Sequence, residues 1–148
     1  MNARDRKLAE LVLYVADRCA TDRRFGATKL NKILFFSDFI HYGLHGDSIT
    51  GAAYQRLDFG PAPRRLLPVR DELIDERHLA IDHSDYFGRP QKRPVALRDA
   101  DLSDFSGREI DTVNKVIKMF ETADATAISE ASHRLAGWQI AENGDTIP

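Results

Sequence analysis

Cysteine, long apolar runs and net charge are all scarce in this chain. Its 148 residues include a single cysteine, Cys19, which excludes an internal disulfide and a four-cysteine metal site. No stretch reaches the ~18 to 20 apolar residues of a membrane-spanning helix, and no secretory signal opens the chain. The net charge of −2 by itself favours neither nucleic acid nor a membrane as partner. We therefore expect a cytoplasmic protein.

The sequence also lacks the common catalytic motifs. It has no P-loop, no dinucleotide-binding fingerprint and no G-x-S-x-G elbow. His41 and His45 have the spacing of two metal ligands, but no third ligand accompanies them. Ser132 and His133 are adjacent, so on a helix they point about 100° apart and cannot bond as nucleophile and base. We expect no enzymatic activity, no cofactor and no metal.

Length and composition indicate one soluble globular domain spanning residues 1–148. Hydrophobic residues make up 43% of the chain and charged residues 30%, which is ordinary for such a domain and sufficient for a real core. Charge is unevenly distributed, because residues 99–148 carry four Lys/Arg against ten Asp/Glu. This acidic part either meets a basic partner or forms a solvated surface.

The stretch from Thr28 to Gly46 predicts the helix around which the rest is organised. Thr28 is the expected N-cap, and Gly43 or Gly46 the expected end. Apolar residues cover nearly the whole circumference, which predicts a buried central helix. Asn31 and Asp38 interrupt it on one side and, if buried, need hydrogen-bond partners. They either tie neighbouring loops to the helix or form part of a polar site.

Apolar periodicity predicts further helices before and after this one. Residues 4–19 form an amphipathic stripe. Residues 64–77 form a helical region whose start is complicated by Pro68 and whose expected inward-facing residues are Leu66, Leu67, Leu73 and Ile74. Residues 106–122 open with a capping box of Ser106 and Glu109. A last short helix is expected from Asp124 or Thr126 to Leu135. Together with the central helix these make about five helices.

Extended structure is predicted in two places. Residues 52–59 suggest a short strand, followed by a rigid corner at residues 60–63. Residues 79–85 and 91–98 alternate as a β-hairpin, with Pro94 at an edge position. The predicted fold is α+β, mostly helical, with about five helices around a central buried helix and a small β-hairpin. The hairpin has a basic flank, which would suit the wing of a DNA-binding regulator, although such residues are also common on ordinary surfaces.

Four segments in order resemble a known family. They are K-L-N-K-I-L-F-F-S-D-F at 29–39, G-D-S-I-T-G-A-A-Y at 46–54, F-G-P-A-P at 59–63 and S-E-A-S-H-R-L-A-G-W at 129–138. Together they are similar to the Panacea (SocA-like) antitoxin domain. Ala62 replaces a more usual Val, and Phe35-Phe36 replaces Leu-Tyr; both changes resemble core substitutions.

The resemblance implies a small, mostly helical antitoxin that neutralises a toxin protein by direct contact. Family members meet very diverse toxins, some occur in phages and prophages, and the SocA type delivers its toxin to the ClpXP protease. A proteolytic adaptor, which the resemblance implies, and a DNA-binding regulator, which the basic hairpin suggests, remain as alternative functions. No membrane partner is expected, because neither the net charge nor the apolar runs favour one.

The residues of the shared motif are expected to hold the fold, and the toxin-binding surface is expected elsewhere. The motif residues are Lys29, Asn31, Lys32, Asp38, Gly60, Pro61, His133 and Trp138. Exposed aromatic and Arg residues are favoured anchors of protein interfaces. The residues of this kind that we expect to bind a partner are Arg64, Arg65, Tyr86, Phe87 and Arg89.

Overall fold

The computed structural model describes residues 1–58, 60–86 and 88–122. Within these ranges the fold is α+β and mostly helical, with four helices and two antiparallel hairpins. The elements are α1 (Ala3–Arg18), α2 (Ala27–His45), β1 (Tyr54–Leu57), β2 (Gly60–Pro63), α3 (Leu66–Asp75), β3 (Leu79–Tyr86), β4 (Arg89–Ala96) and α4 (Gly107–Thr122). The predicted last helix lies outside the described residues. None of the described helices is long and apolar enough to cross a membrane.

Helix α1 forms where its apolar stripe predicts it. Asn2 caps it by accepting a hydrogen bond from the Asp5 backbone N–H at 2.8 Å. The predicted stripe is fully buried, with the residues Leu8, Leu11, Val12, Val15 and Cys19. This burial makes α1 one wall of the core, where it packs against α2, α3 and β4.

Helix α2 starts one residue before the predicted cap and is buried over only part of its length. It begins at Ala27 with Gly26 in the N-cap position, so the expectation for Thr28 was wrong. A Cβ on Gly26 would lie 3.0 Å from Gln91 Cγ, which shows why a glycine occupies this crowded contact with β4. Gly46 ends the helix in the left-handed conformation at φ 83°, as one of the two predicted alternatives required.

The burial of α2 changes along its axis. Most residues of its middle turns are buried, and the helix packs there against α1, α4, β2 and β4. Its last two turns leave Phe39, Tyr42 and Leu44 exposed. The prediction of a helix buried all round therefore applies to the middle turns and fails at the C-terminal end, because no described element covers that end.

The predicted corner at residues 60–63 is a strand. β2 pairs with β1 in an antiparallel register from Tyr54 opposite Pro63 to Leu57 opposite Gly60. Hydrogen-bonded and non-hydrogen-bonded pairs alternate in such a ladder. The Arg64 N–H donates to the Ala53 carbonyl at 2.9 Å, so the next pair inward is a non-bonded one. Both prolines of β2 then fall in non-bonded pairs, where a missing N–H costs the ladder nothing.

The start of helix α3 explains how a helix accommodates Pro68. The helix spans Leu66–Asp75, which places Pro68 in the first turn, where its missing N–H is tolerated. Leu66 and Leu73 are buried, but Leu67 is 59% exposed, so the expectation that it faces inward was wrong. Adjacent residues of a helix point about 100° apart. Leu67 is therefore turned away from the direction of its buried neighbour Leu66.

The second hairpin is longer than predicted, since β3 and β4 are separated by only Phe87 and Gly88. Residues 86, 89 and 90, expected in a wide turn, belong to the strands. The register runs from Leu79 opposite Ala96 to Tyr86 opposite Arg89. Pro94 is tolerated for the same reason as the prolines of β2.

Helix α4 contains the predicted capping box. The Ser106 N–H donates to Glu109 Oε1 at 2.8 Å, and the Glu109 N–H donates to Ser106 Oγ at 3.1 Å. Glu109 also pairs with Lys7 of α1 at 2.9 Å. This cap consequently anchors the start of α4 to α1, while Val113, Ile117 and Phe120 face the core.

Candidate partner-binding surfaces

Asp38 joins α2 to the loop that precedes the first hairpin. Its Oδ1 accepts the backbone N–H groups of Ile49 and Thr50, both at 2.8 Å. Its Oδ2 accepts the hydroxyls of Thr50 at 2.6 Å and Tyr54 at 2.5 Å. A buried carboxylate with four donors is well compensated. Burial, followed by the neighbouring Asp38 charge, raises the pKa of Tyr54 well above its ordinary value.

Two lysines of the same motif also face inward from α2. Lys29 pairs with Asp22 of the α1–α2 loop at 2.5 Å. Lys32 is 2% exposed and lies beneath Gly60, whose added Cβ would come within 3.0 Å of Lys32 Cε. Burial lowers the pKa of Lys32. Gly60, with φ 132°, adopts a conformation that favours glycine, and Pro61 beside it is buried.

The described residues do not assemble the chemistry of a metal or thiol centre. No group of three His, Cys, Asp or Glu side chains within them could hold a metal ion. The rings of His41 and His45 are 4.6 Å apart, and His41 Nδ1 lies 2.7 Å from the Asp47 carbonyl. Cys19 is buried, and burial raises its thiol pKa to about 11, which keeps it protonated and unreactive at neutral pH.

Three polar atoms along α2 are buried without a hydrogen-bond partner among the described residues. They are Asn31 Oδ1, Ser37 Oγ and His41 Nε2. Of the two residues predicted to tie loops to α2, Asp38 makes such contacts, whereas the side-chain oxygen of Asn31 makes none within the described part of the chain.

The side chain of Arg93, from the basic flank of the second hairpin, points toward the α1–α2 loop. Its guanidinium donates to the carbonyl oxygens of Asp22 at 2.7 Å, Phe25 at 3.0 Å and Ala20 at 3.1 Å. Gln91 adds a bond to the Phe25 carbonyl at 3.0 Å. These bonds attach β4 to the α1–α2 loop and leave Arg93 poorly placed to contact a DNA phosphate.

A shallow polar groove runs between this loop and the second hairpin. Its volume is about 450 Å³. Its charged lining residues are of both signs: Arg23 and Arg93, Asp82 and Asp85. Small-molecule sites are mostly apolar and enclosed, so the groove has the character of a protein surface rather than of a substrate pocket.

Arg64 and Arg65 lie on the surface where β2 leads into α3. Both are exposed, but they differ in their contacts. Arg65 Nη2 pairs with buried Asp5 Oδ2 at 3.1 Å, and Arg64 Nη1 donates to Gln55 Oε1 at 3.4 Å. Both guanidinium groups therefore already have contacts within the protein.

The remaining predicted partner-binding residues lie at the tip of the second hairpin. The backbones of Tyr86 and Arg89 pair directly across the two strands. Phe87 lies outside the described residues, as do motif residues His133 and Trp138.

The structure also exposes two aromatic residues of α2, of which Phe39 was expected in the core and Tyr42 was given no role by the sequence. Phe39 is 39% exposed and Tyr42 is 61% exposed. They stand three residues apart on α2 and hence on one face. Phe39 stacks on buried Phe35 with the ring centroids 5.0 Å apart. The position of both residues just before the terminal glycines was the available signal, since a helix end often extends past its packing partners.

Comparison with known proteins identifies the family. The model of the family described as "Antitoxin SocA-like, Panacea domain" matches residues 30–139. No curated protein and no solved structure matches the chain. The matched range contains most of α2, both hairpins, α3 and α4, and it covers most of the chain. The chain therefore belongs to the SocA-like Panacea antitoxin family.

Proposed function

We propose that this protein is an antitoxin that neutralises a cognate toxin by binding it directly, without catalysing a reaction. The observation that carries the proposal is the family match over residues 30–139. The exposed aromatic face of α2 supports it, because contiguous exposed aromatics mark protein interfaces more often than ordinary surface. The toxin is the partner, and no cofactor takes part.

We further propose that the shared motif residues hold the fold and that binding occurs elsewhere. Asp38, Lys29 and Lys32 face neighbouring segments of the same chain, as described above. A domain that binds diverse toxins needs a constant interior and a variable contact surface. The candidate contact surfaces are the tip of the second hairpin, the exposed Arg64 and Arg65, and the face of Phe39 and Tyr42.

Co-expression with the protein encoded by the adjacent reading frame tests the function. If that protein is toxic alone, we expect the pair to be harmless and to elute together from a size-exclusion column. Rescue without a stable complex contradicts direct neutralisation. Rescue that requires ClpXP, with falling toxin levels, supports a proteolytic adaptor. Operator binding that weakens steeply with added salt supports a DNA-binding regulator, because phosphate contacts release counterions.

Three sets of substitutions separate the candidate surfaces. The first replaces Tyr86, Phe87 and Arg89 together by Ala, the second is Arg64→Ala, and the third is Tyr42→Ala. We expect substitution of the residues that anchor the toxin to weaken toxin binding at least tenfold, which corresponds to the loss of one interface hot spot. Arg64→Ala is preferred to Arg65→Ala because the latter leaves buried Asp5 without its ion-pair partner. A folded variant with unchanged binding removes its surface from consideration.

A further inference from the structure

The two outer edges of the second hairpin differ in their backbone chemistry. The Leu97 N–H donates to the His78 carbonyl at 2.9 Å, which makes that pair a hydrogen-bonded one. Because bonded and non-bonded pairs alternate, the register then makes 81/94, 83/92 and 85/90 non-bonded pairs. Residues in such pairs direct their N–H and C=O groups away from the partner strand, toward the outer edge.

The outer edge of β4 lacks N–H donors at two positions and is covered by α2 at a third. Two of its outward positions are Pro90 and Pro94, which have no N–H to offer. At a third, the Lys92 carbonyl lies 3.3 Å from the position of a Cβ on Gly26, so α2 begins directly against this edge. Natural proteins protect edge strands with prolines and covering elements of this kind.

The outer edge of β3 has neither form of protection over its distal half. Residues 79–86 contain no proline. His83 and Asp85, which point their backbone groups outward, are exposed. Within the described residues, no backbone hydrogen bond beyond the β3–β4 ladder reaches them. Such an edge is a template for an additional strand.

Charge indicates the kind of strand that fits this edge. Asp82 and Asp85 are exposed along β3, while Arg93 on the neighbouring strand is turned to the α1–α2 loop. β3 itself contains no Lys or Arg, so a second copy of β3 would offer these aspartates no opposite charge, and like charges on adjacent strands are destabilising. A strand that carries Lys or Arg experiences attraction instead.

We propose that the distal half of β3, centred on His83 and Asp85, binds its protein partner by accepting an extended, Lys- or Arg-bearing segment as a third strand. This inference rests on the proposed antitoxin function and specifies how the toxin is held. Backbone hydrogen bonds to the edge supply affinity that depends little on partner sequence, and the aspartates select for positive charge. Such a mode is compatible with diverse toxins.

A proline substitution tests the edge without disturbing the ladder. His83→Pro removes one outward N–H at a position equivalent to Pro90 and Pro94, so pairing with β4 is preserved. His83→Thr is the matched control, because it retains the N–H and suits a strand. With the toxin from the adjacent reading frame as probe, we expect His83→Pro to weaken binding at least tenfold and His83→Thr to weaken it less than twofold. Equal binding by both variants would overturn the inference.

Amide hydrogen exchange provides a second reading that does not depend on a substitution. In the wild-type protein, the amides of His83 and Asp85 should exchange quickly when free and slowly in the toxin complex. Unchanged exchange at both amides overturns the inference even if His83→Pro fails to fold. Asp85→Lys should weaken binding of the toxin and reduce its dependence on salt.

The outcomes also separate this inference from the proposed function. A wild-type protein that does not bind the toxin contradicts the antitoxin function itself. A wild-type protein that binds the toxin, but whose β3 amides stay unprotected, contradicts only the edge-strand mode. A dimer that His83→Pro dissociates, with toxin binding intact, assigns the edge to a second copy and likewise overturns the inference.

Discussion

The two hairpins have similar topology but opposite relations to the core. In both, two residues separate two antiparallel strands, and each proline falls in a non-bonded pair. β2 is buried at every residue, and Asp38 attaches the start of β1 to α2. The distal half of β3 is largely exposed, and its hairpin is attached mainly through β4. The difference shows how one supersecondary unit can serve either as part of the interior or as a projecting surface.

The largest expected effect follows from breaking the attachment of the first hairpin. Asp38→Ala leaves two buried N–H groups and two hydroxyls without an acceptor. Since each unsatisfied buried group costs about 1–3 kcal/mol, we expect a loss of about 4 kcal/mol in the free energy of unfolding. Urea denaturation followed by circular dichroism measures it. Asp47→Ala, at an exposed position on the same loop, is the control, and a loss below about 1 kcal/mol for Asp38→Ala would refute the attachment.

The glycines of the two hairpins should respond unequally to the same substitution. Gly60→Ala meets both an unfavourable φ and the Lys32 side chain at 3.0 Å, whereas Gly88, at φ 77°, has nothing within 4 Å of its added Cβ. We expect losses of about 3 kcal/mol at Gly60 and about 1 kcal/mol at Gly88. Thermal unfolding of the two variants side by side measures the contrast. Equal losses would show that backbone conformation alone matters.

Detaching the second hairpin should cost less than detaching the first. Arg93→Ala removes three hydrogen bonds to loop carbonyls that can partly be replaced by water, so we expect a loss of about 2 kcal/mol. Lys92→Ala, at the exposed neighbouring position, should change stability by less than about 0.5 kcal/mol. Limited proteolysis of the α1–α2 loop adds a local readout. An Arg93→Ala variant as stable and as resistant as the wild type would contradict the attachment.

The first hairpin should also make stability sensitive to alkaline pH. The pKa of Tyr54 is raised by burial and by Asp38, so its contribution to stability is complete below the ordinary tyrosine pKa of about 10 and is lost as the pH rises above it. Tyr54→Phe should cost about 1 kcal/mol at neutral pH, through the lost hydrogen bond, and should flatten the alkaline loss. Urea titrations at neutral pH and above about pH 10 measure both effects. Tyr42→Phe is the exposed control, and parallel alkaline profiles for wild type and Tyr54→Phe would contradict the role of Tyr54.

The helices were largely predictable because their signals are local. The apolar stripe of α1 and the Ser106–Glu109 capping box each depend on residues within a few positions of one another. The alternation over β3 was equally local. Such features are encoded by side-chain spacing, which the sequence displays directly.

Features that depend on a distant contact were missed. Prolines in residues 60–63 suggested a corner, because the sequence does not show that both prolines fall in non-bonded pairs opposite β1. Thr28 was the better cap by residue type, but α2 begins at Ala27, after Gly26, which lies against Gln91 of β4. The exposed Phe39 and Leu44 were assigned to the core, because hydrophobicity does not reveal where the packing partners of a helix end.

For the candidate surfaces the sequence supplied the residue types but not the groups that each side chain contacts. Arg64, Arg65 and Arg93 are the same residue type, yet Arg64 donates to the side chain of Gln55, Arg65 pairs with a buried carboxylate and Arg93 donates to backbone carbonyls.

By itself the sequence determined the α+β class, most helices, the second hairpin and, through its motifs, the family. Only the tertiary structure decided that Asp38 joins α2 to the first hairpin, that the end of α2 is exposed and that no described element pairs with the distal outer edge of β3. The physical reason is that periodicity and capping act over a few residues, whereas burial and strand register are set by segments that meet only in the folded chain.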